Sequence, residues 1–297
     1  MPRKVALITG GGSGIGLAVA KTLSQRSSID WTVHIVDLNK EAGTKATCGL
    51  QNAHFHQADV GDYSSLASTF EAAYNDAGRL DFVFANAGIV ERDNFYAKHD
   101  LSGPPPPPPN QLSIDLNYKA VVDTSYLALH YFRKGKAKQE NEELDPVLVM
   151  TSSCGGLYPS EFCPMYSGSK AAVIHFNRAI TVAYHHEGIR TFAVCPGMIR
   201  TALLSQEEWQ SFAPEHFTPV ETVSDTVVKL VEGGEMKDAK GVTKSKYENW
   251  GLTVEVNGRN FYFRTGPEFC DDDMKNMMAN TSMAKQLARI EGASNGA

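Results

Sequence analysis

The sequence predicts an α/β fold: a doubly wound parallel sheet with helices on both faces, built as a single domain with a C-terminal extension. Two observations carry that expectation. Short, nearly uninterrupted apolar runs alternate with longer amphipathic stretches, and a glycine-rich turn follows the first run. Strands covered on both faces read as continuous apolar segments, and their alternation with helical patterns implies parallel pairing through helical crossovers. The strand segments are Val5–Thr9, Thr32–Val36, His54–Gln57, Asp81–Ala85, Val147–Thr151 and Thr191–Cys195. The helical segments are Ile15–Arg26, Asp62–Ala77, Leu112–Phe132, Ser167–His186 and Glu221–Val231. A last strand, Leu252–Val256, runs into Asn257-Gly258, a hairpin-turn dipeptide, with Asn260–Phe263 returning.

Two stretches break the alternation. Pro104–Pro109 cannot be helical and is expected as polyproline II, either a stiff surface loop or a ligand for a proline-binding partner. After Gly266 come Asp271–Asp273 and then Lys285–Arg289, acidic before basic, which suits a short C-terminal helix and its macrodipole. The last residues, Ser294–Ala297, are expected to fray. The organisation read from this is a catalytic domain over 1–265, with a substrate lid at 201–220, and an extension over 266–297.

Composition narrows the function classes. The 297 residues are 42% hydrophobic and 21% charged, with a formal charge of -6. That balance argues against a nucleic-acid binder, and no Lys/Arg block offsets it. Cys48, Cys154, Cys163, Cys195 and Cys270 lack C-x-x-C spacing and read as reduced thiols, neither a disulfide framework nor a zinc site. His185 and His186 are adjacent on a helix and diverge, so no metal is expected. The first strand begins at Val5, leaving no room for a signal peptide, and no apolar stretch reaches a membrane span. A soluble, cytoplasmic protein is the expectation.

The turn Thr9–Gly16 joins the first strand to the first helix with T-G-x-x-x-G-x-G spacing through Gly10, Gly14 and Gly16. Glycines let the backbone approach a pyrophosphate, which the free N–H groups of the helix N-terminus then stabilise. The turn residues Gly10, Ser13, Gly14, Ile15 and Gly16 are therefore expected against a dinucleotide. Asp37 ends the second strand, where its carboxylate can accept from the adenosine ribose hydroxyls and repel a 2′-phosphate. This is a Rossmann-type arrangement, and it favours NAD over NADP. Asp37 could equally cap the helix that begins near Asn39. Asp59 and Val60 follow the third strand, in reach of the adenine. Asn86 closes the fourth beside small residues that admit the ribose.

The chemistry lies in Tyr166 and Lys170, one turn apart on a helix, with Ser153 thirteen residues before the tyrosine at the end of the fifth strand. A phenol that exchanges protons near neutrality must fall well below its ordinary value. That requires about 3–4 kcal/mol of preferential phenolate stabilisation, which a nearby ammonium and a cationic nicotinamide can supply. Lys170 can also bond the nicotinamide ribose. Ser153 orients the reacting oxygen, whereas Ser152 points to the opposite face of the strand.

With these motifs in order, the chain resembles the short-chain dehydrogenase/reductase family, single-domain type, over residues 4–265. The matches are TGGGSGIG, Asp59-Val60, ANAG at 85–88, Asn117 in IDLN, TSSCGG at 151–156, Tyr166-x-x-x-Lys170 and PGMIRT at 196–201. Within the family it is most similar to NAD-dependent 15-hydroxyprostaglandin dehydrogenases, through GRLDFVFANAG, VCPGMIRTALL and the long C-terminal extension. The resemblance implies Tyr166 as general acid/base, Lys170 lowering its pKa, and Ser153 positioning substrate. It implies that Asn117 holds a relay water, the alternative being a solvent-facing helix residue. Ile199 and Thr201 are implied to secure the nicotinamide amide, and a homodimer built on the two long central helices is implied as well. Ala85 departs from the family's usual N-N-A-G.

Leu157, Tyr158, Phe162 and Met165, with Leu203, Leu204, Trp209, Phe212 and Phe217, form either an apolar substrate wall or the packing of the lid. The wall reading points to a hydrophobic secondary alcohol or ketone as the small-molecule partner. The function expected is an NAD-dependent oxidoreductase. The alternatives are a biosynthetic ketone reductase and a catalytically silent NAD-binding sensor or scaffold.

Overall fold

The computed structural model describes residues 3–138 and 144–294; the expected frayed residues Asn295–Ala297 lie outside this range. The first half of the chain runs β1 (Arg3–Thr9), α1 (Gly14–Ser24), β2 (Asp30–Asp37), α2 (Lys40–Thr47), β3 (Ala53–Gln57), α3 (Tyr63–Ala77) and β4 (Phe82–Ala85). Then come α4 (Leu112–Ile114), a π-helical turn (Asp115–Lys119) and α5 (Ala120–Lys138). The second half has β5 (Val147–Thr151), α6 (Pro164–His186), β6 (Arg190–Pro196), α7 (Gln206–Gln210) and α8 (Val220–Glu232). Short strands β7 (Met236–Lys237) and β8 (Thr243–Lys244) precede the hairpin β9 (Thr253–Asn257) and β10 (Asn260–Arg264).

Eight strands form one sheet in the order β10-β9-β6-β5-β4-β1-β2-β3. Strands β1 to β6 and β9 pair in parallel. Chain order reverses between β1 and β4, the switch point where open α/β sheets hold ligands at the carboxyl ends of their strands.

The apolar runs of β1, β4 and β5 are continuous because each of these strands serves two cores. Ala6 and Ile8 face Val19 and Leu23 of α1 and Val223, Val227 and Val231 of α8. Val5 and Leu7 face Leu66 and Phe70 of α3, Phe132 of α5 and Val173 of α6. The partly buried Arg79–Asp81 ion pair (2.7 Å) fixes the start of β4, and the buried Asp81 accepts the Val5 N–H through Oδ2 at 2.8 Å.

Two local differences from the sequence reading have physical reasons. Helix α2 is short and polar, so its periodicity is faint; Asn39 caps it by accepting the Ala42 N–H at 3.0 Å. The β9–β10 turn is shifted by one residue: Asn257 ends the strand and Gly258, at φ +57°, is the first turn residue. The Thr218 hydroxyl accepts the Gly258 N–H at 2.9 Å and fixes that register.

The proline run is neither helix nor strand and is exposed throughout. The chain divides into a body ending at Phe263 and a C-terminal unit from Arg264. That unit holds two helices where one was expected, α9 (Asp272–Ala279) and α10 (Met283–Ser294). The acidic residues belong to the first, where Asp271 Oδ1 accepts the Met274 N–H at 2.7 Å, while Lys285 and Arg289 lie in the second. Among the described residues no helix is long and apolar enough to cross a membrane.

Candidate active site

The switch point is built by the turn after β1 and the end of β4. Gly10 and Gly14 adopt φ +63° and +52°. A Cβ on Gly10 would lie 2.9 Å from Ala87 Cα, and one on Gly16 would lie 2.4 Å from the Gly10 carbonyl oxygen. The buried Thr9 hydroxyl donates to the Phe84 carbonyl at 3.3 Å and accepts the N–H groups of Asn86 and Ala87 at 2.9 and 3.1 Å. The Asn86 amide donates to the Thr9 and Gly10 carbonyls (3.1 and 3.3 Å) and accepts from the Thr151 hydroxyl at 3.0 Å. Its side chain therefore ties three strand ends together. Ser13 caps α1 by conformation only, its hydroxyl making no capping bond. The N–H groups of Gly14, Ile15 and Gly16 thus begin the helix with no side-chain acceptor from that residue.

Asp37 closes the far side of this cradle. Its Oδ2 accepts the Gly12 N–H at 3.0 Å and its Oδ1 the Asn39 N–H at 2.9 Å. It supports the glycine turn, and Asn39 rather than Asp37 is the helix cap. Asp59 is exposed, its Oδ1 accepting the Gly61 N–H at 2.8 Å, while Val60 is buried. The backbone of the cradle, with no Cβ at Gly10, Gly11, Gly12, Gly14 and Gly16 and backed by this carboxylate, fits a dinucleotide phosphate and ribose.

Ser153, Tyr166, Lys170 and Asn117 lie near one another at the ends of β4 and β5. Ser152 and Ser153 diverge at the end of β5. The Ser152 hydroxyl donates to the Lys170 carbonyl at 2.6 Å, while Ser153 Oγ accepts the Gly155 N–H at 3.0 Å. A Cβ on Gly155 would touch both Tyr166 Cε1 (3.3 Å) and Ser153 Oγ (3.5 Å), so the two side chains border one space. Lys170 Nζ lies 5.9 Å from the Tyr166 ring centroid and donates to the Thr151 carbonyl at 3.0 Å. A Cβ on Gly88 would fall 2.7 Å from Asn117 Oδ1 and 3.2 Å from Lys170 Nζ, which brings the asparagine to the same place.

Asn117 is fully buried, not solvent-facing. Its amide accepts the Ile89 N–H and donates to the Ile89 carbonyl, both at 2.8 Å. The π-helical turn around it departs from α-helical pairing, a distortion frequent at functional sites.

The electrostatics of the free chain differ from the expectation of a depressed phenol. Burial pushes the Tyr166 phenol up, offset in part by its hydrogen bond with Ser153. Burial lowers the Lys170 ammonium to about 8. The expectation counted the ammonium as a free Coulomb partner, whereas the fold aims it at the Thr151 carbonyl in a dehydrated interior.

Thr201 brings the segment after β6 to the cradle: a Cβ on Gly14 would lie 3.2 Å from Thr201 Cγ2. Ile199 is buried. The indole of Trp209 donates to the Thr201 carbonyl at 3.0 Å, and its ring meets Phe212 and Phe217 at 6.1 and 5.7 Å. Phe212 and Phe217 thus each pack against Trp209, while Tyr158 and Phe162, like Phe212, are exposed. His185 stacks on Trp250 at 3.9 Å.

Sequence reasoning missed Glu91, a nearly buried carboxylate that accepts the Tyr166 N–H at 2.6 Å. It also missed Glu255, buried on β9 beneath the Tyr158 hydroxyl at 3.2 Å. Neither belongs to a motif, and the apolar neighbours of Glu255 in TVEVN were the only signal for it.

A family model described as short chain dehydrogenase matches residues 4–211. The chain is 43% identical over 285 residues to the short-chain dehydrogenase/reductase prx7 of Penicillium rubens, covering 93% of this chain and 99% of that one. It is 29% identical over 232 residues to the 15-hydroxyprostaglandin dehydrogenase (NAD(+)) of Homo sapiens, covering 75% and 79%. The solved 3-ketoacyl-(acyl-carrier-protein) reductase from Brucella melitensis, complexed with NADH, matches with a TM-score of 0.68 at 22% identity. That match covers 86% of this chain and 98% of the other, and at such identity it speaks for the fold alone.

Proposed function

The chain belongs to the short-chain dehydrogenase/reductase family, and from that premise we propose that it is an NAD-dependent oxidoreductase interconverting a hydrophobic secondary alcohol and its ketone, with Tyr166 as general acid/base. The convergence of Ser153, Tyr166, Lys170 and Asn117 beside the glycine cradle carries this reading. Gly10, Ser13, Gly14, Ile15 and Gly16 would hold the pyrophosphate, Asp37 the adenosine ribose, and Asp59 and Val60 the adenine. The main chain of Asn86, with Tyr166, Lys170, Ile199 and Thr201, would hold the nicotinamide half. When bound, the nicotinamide supplies the hydride acceptor or donor.

The chain's own residues handle the proton and the substrate oxygen. Ser153 donates a hydrogen bond to that oxygen and fixes it against Tyr166. In reduction the phenol delivers its proton to the developing alkoxide; in oxidation the phenolate takes the alcohol proton. Proton transfer of this kind contributes about 100- to 10,000-fold to rate. Lys170 stabilises the phenolate, and Asn117, locked onto Ile89, keeps the π-helical turn next to Lys170 for the relay.

A carboxylate at Asp37, beside the glycine turn, supports NAD over NADP because it would repel a 2′-phosphate, and the name of the human relative agrees. The exposed Tyr158 and Phe162 offer apolar surface for the substrate, and 201–220 would form its lid. The reading extends to a homodimer through α5 and α6, where Tyr126 and Val182 are exposed; sedimentation at monomer mass would contradict that part. It extends also to a cytoplasmic location, which cell fractionation tests. The function itself is tested by supplying hydrophobic secondary alcohols with NAD and following NADH absorbance. Turnover is the expected result, and a protein that binds NADH yet turns over no member of the panel in either direction contradicts it.

A further inference from the structure

We propose that Glu91 is a positioning residue for Tyr166, which it holds through the tyrosine's main-chain N–H; this rests on the reading of Tyr166 as the acid/base. Helix α6 begins at Pro164 behind Cys163, whose side chain makes no capping bond. The N–H groups of a helix's first turn have no partner within the helix. Pro164 has none to satisfy, and the Ser167 N–H returns to the Cys163 carbonyl at 3.0 Å. The Tyr166 N–H is taken by Glu91 Oε2 at 2.6 Å, from 75 residues earlier in the chain. Glu91 is only 9% exposed, and its other oxygen is buried without a hydrogen-bond partner. A buried carboxylate is costly unless paired, whereas a charge-assisted bond at a helix N-terminus is among the stronger ones available to it.

The segment carrying Glu91 is fastened on both sides. Ile89 exchanges two 2.8 Å hydrogen bonds with the Asn117 amide. Arg92 donates to the Leu203 carbonyl at 2.7 Å and pairs with Glu208 at 3.1 Å. Residues 89–92 thus connect the Asn117 turn, the first turn of α6 and the segment after Thr201. Glu91 is the link that sets where residue 166 leaves the backbone, and so where the phenol stands relative to Ser153. A displacement on the order of 1 Å at a reacting group costs about 100-fold in rate.

The test compares Glu91→Ala and Glu91→Gln in the alcohol–NAD assay, with Tyr166→Phe alongside. The amide of Gln accepts the same N–H. The expected result is a fall in kcat of about 10- to 100-fold for Ala, with KM and NADH affinity little changed, and recovery to near wild type for Gln. Wild-type kcat in Ala, or Gln as impaired as Ala, overturns the proposal. Should Ala be insoluble, Glu91→Asp replaces it: one methylene shorter, it must lose kcat where Gln does not, and equal activity of the two overturns the proposal. An active Tyr166→Phe would sink the acid/base reading instead, so the two failures are distinguishable.

Discussion

The Lys170 ammonium donates to the Thr151 carbonyl at 3.0 Å from a position only 4% exposed. Burial lowers its pKa from 10.5 to about 8, so the free protein holds this charge at a cost of roughly 3 kcal/mol at neutral pH. Replacing it by Met removes that cost and orphans one buried acceptor, a loss of about 1–2 kcal/mol. The charge is the larger effect. Lys170→Met is expected to abolish turnover while raising the urea midpoint at pH 7. The gain shrinks as pH rises through 8 toward 10.5, because the wild-type lysine then folds uncharged. Denaturation at pH 7 and 10 checks both points.

Under the proposed acid/base role, the raised Tyr166 phenol sets the sign of the pH dependence. Oxidation needs the phenolate, so alcohol turnover should climb on the alkaline side. Ketone reduction needs the protonated phenol, so it should be flat near neutrality and fall at high pH. Measuring kcat in both directions from pH 6 to 10 tests this, and a common optimum at neutral pH would contradict it.

Asp37 accepts the Gly12 N–H, and under the proposed function it would also hold the adenosine ribose. Asp37→Ser should weaken NAD use by about 10- to 100-fold, the worth of hydrogen bonds to a charged acceptor, and raise NADP use. The ratio of kcat/KM values for the two dinucleotides is the readout.

A second titratable cluster lies away from this site. His34 Nδ1 and His56 Nε2 are 2.9 Å apart, and Asp76 stands 3.7 and 3.6 Å from His34 and His54. Burial first, then the charges of His56 and His54, lower the His34 pKa from 6.5 to about 4. Between those values the unfolded chain binds more protons, so stability falls as pH drops from 6.5 toward 4, by on the order of 3 kcal/mol. His34→Gln should flatten that slope in urea titrations at pH 7 and 5.

Much of the sheet was legible because buried parallel strands advertise themselves as apolar runs, and Val147–Thr151 is bounded as read. The divergence of Ser152 from Ser153 followed from strand alternation alone. The π-helical turn was not legible, since Leu112–Phe132 reads as one unbroken helix and the distortion depends on Asn117 meeting Ile89. The direction of the Tyr166 shift was missed for a related reason. Sequence spacing gives which groups share a helix face, while desolvation and the Thr151 carbonyl that captures Lys170 are products of packing. Glu91 illustrates the same limit: a lone acid in a loop carries no pattern until the helix it caps arrives.

The most direct test of the central claim is Tyr166→Phe, which deletes one hydroxyl and leaves the ring packed. Turnover of a hydrophobic secondary alcohol should fall by about 100-fold or more while NADH still binds with near wild-type affinity. Turnover within a few-fold of wild type in a folded, NADH-binding variant would contradict the account.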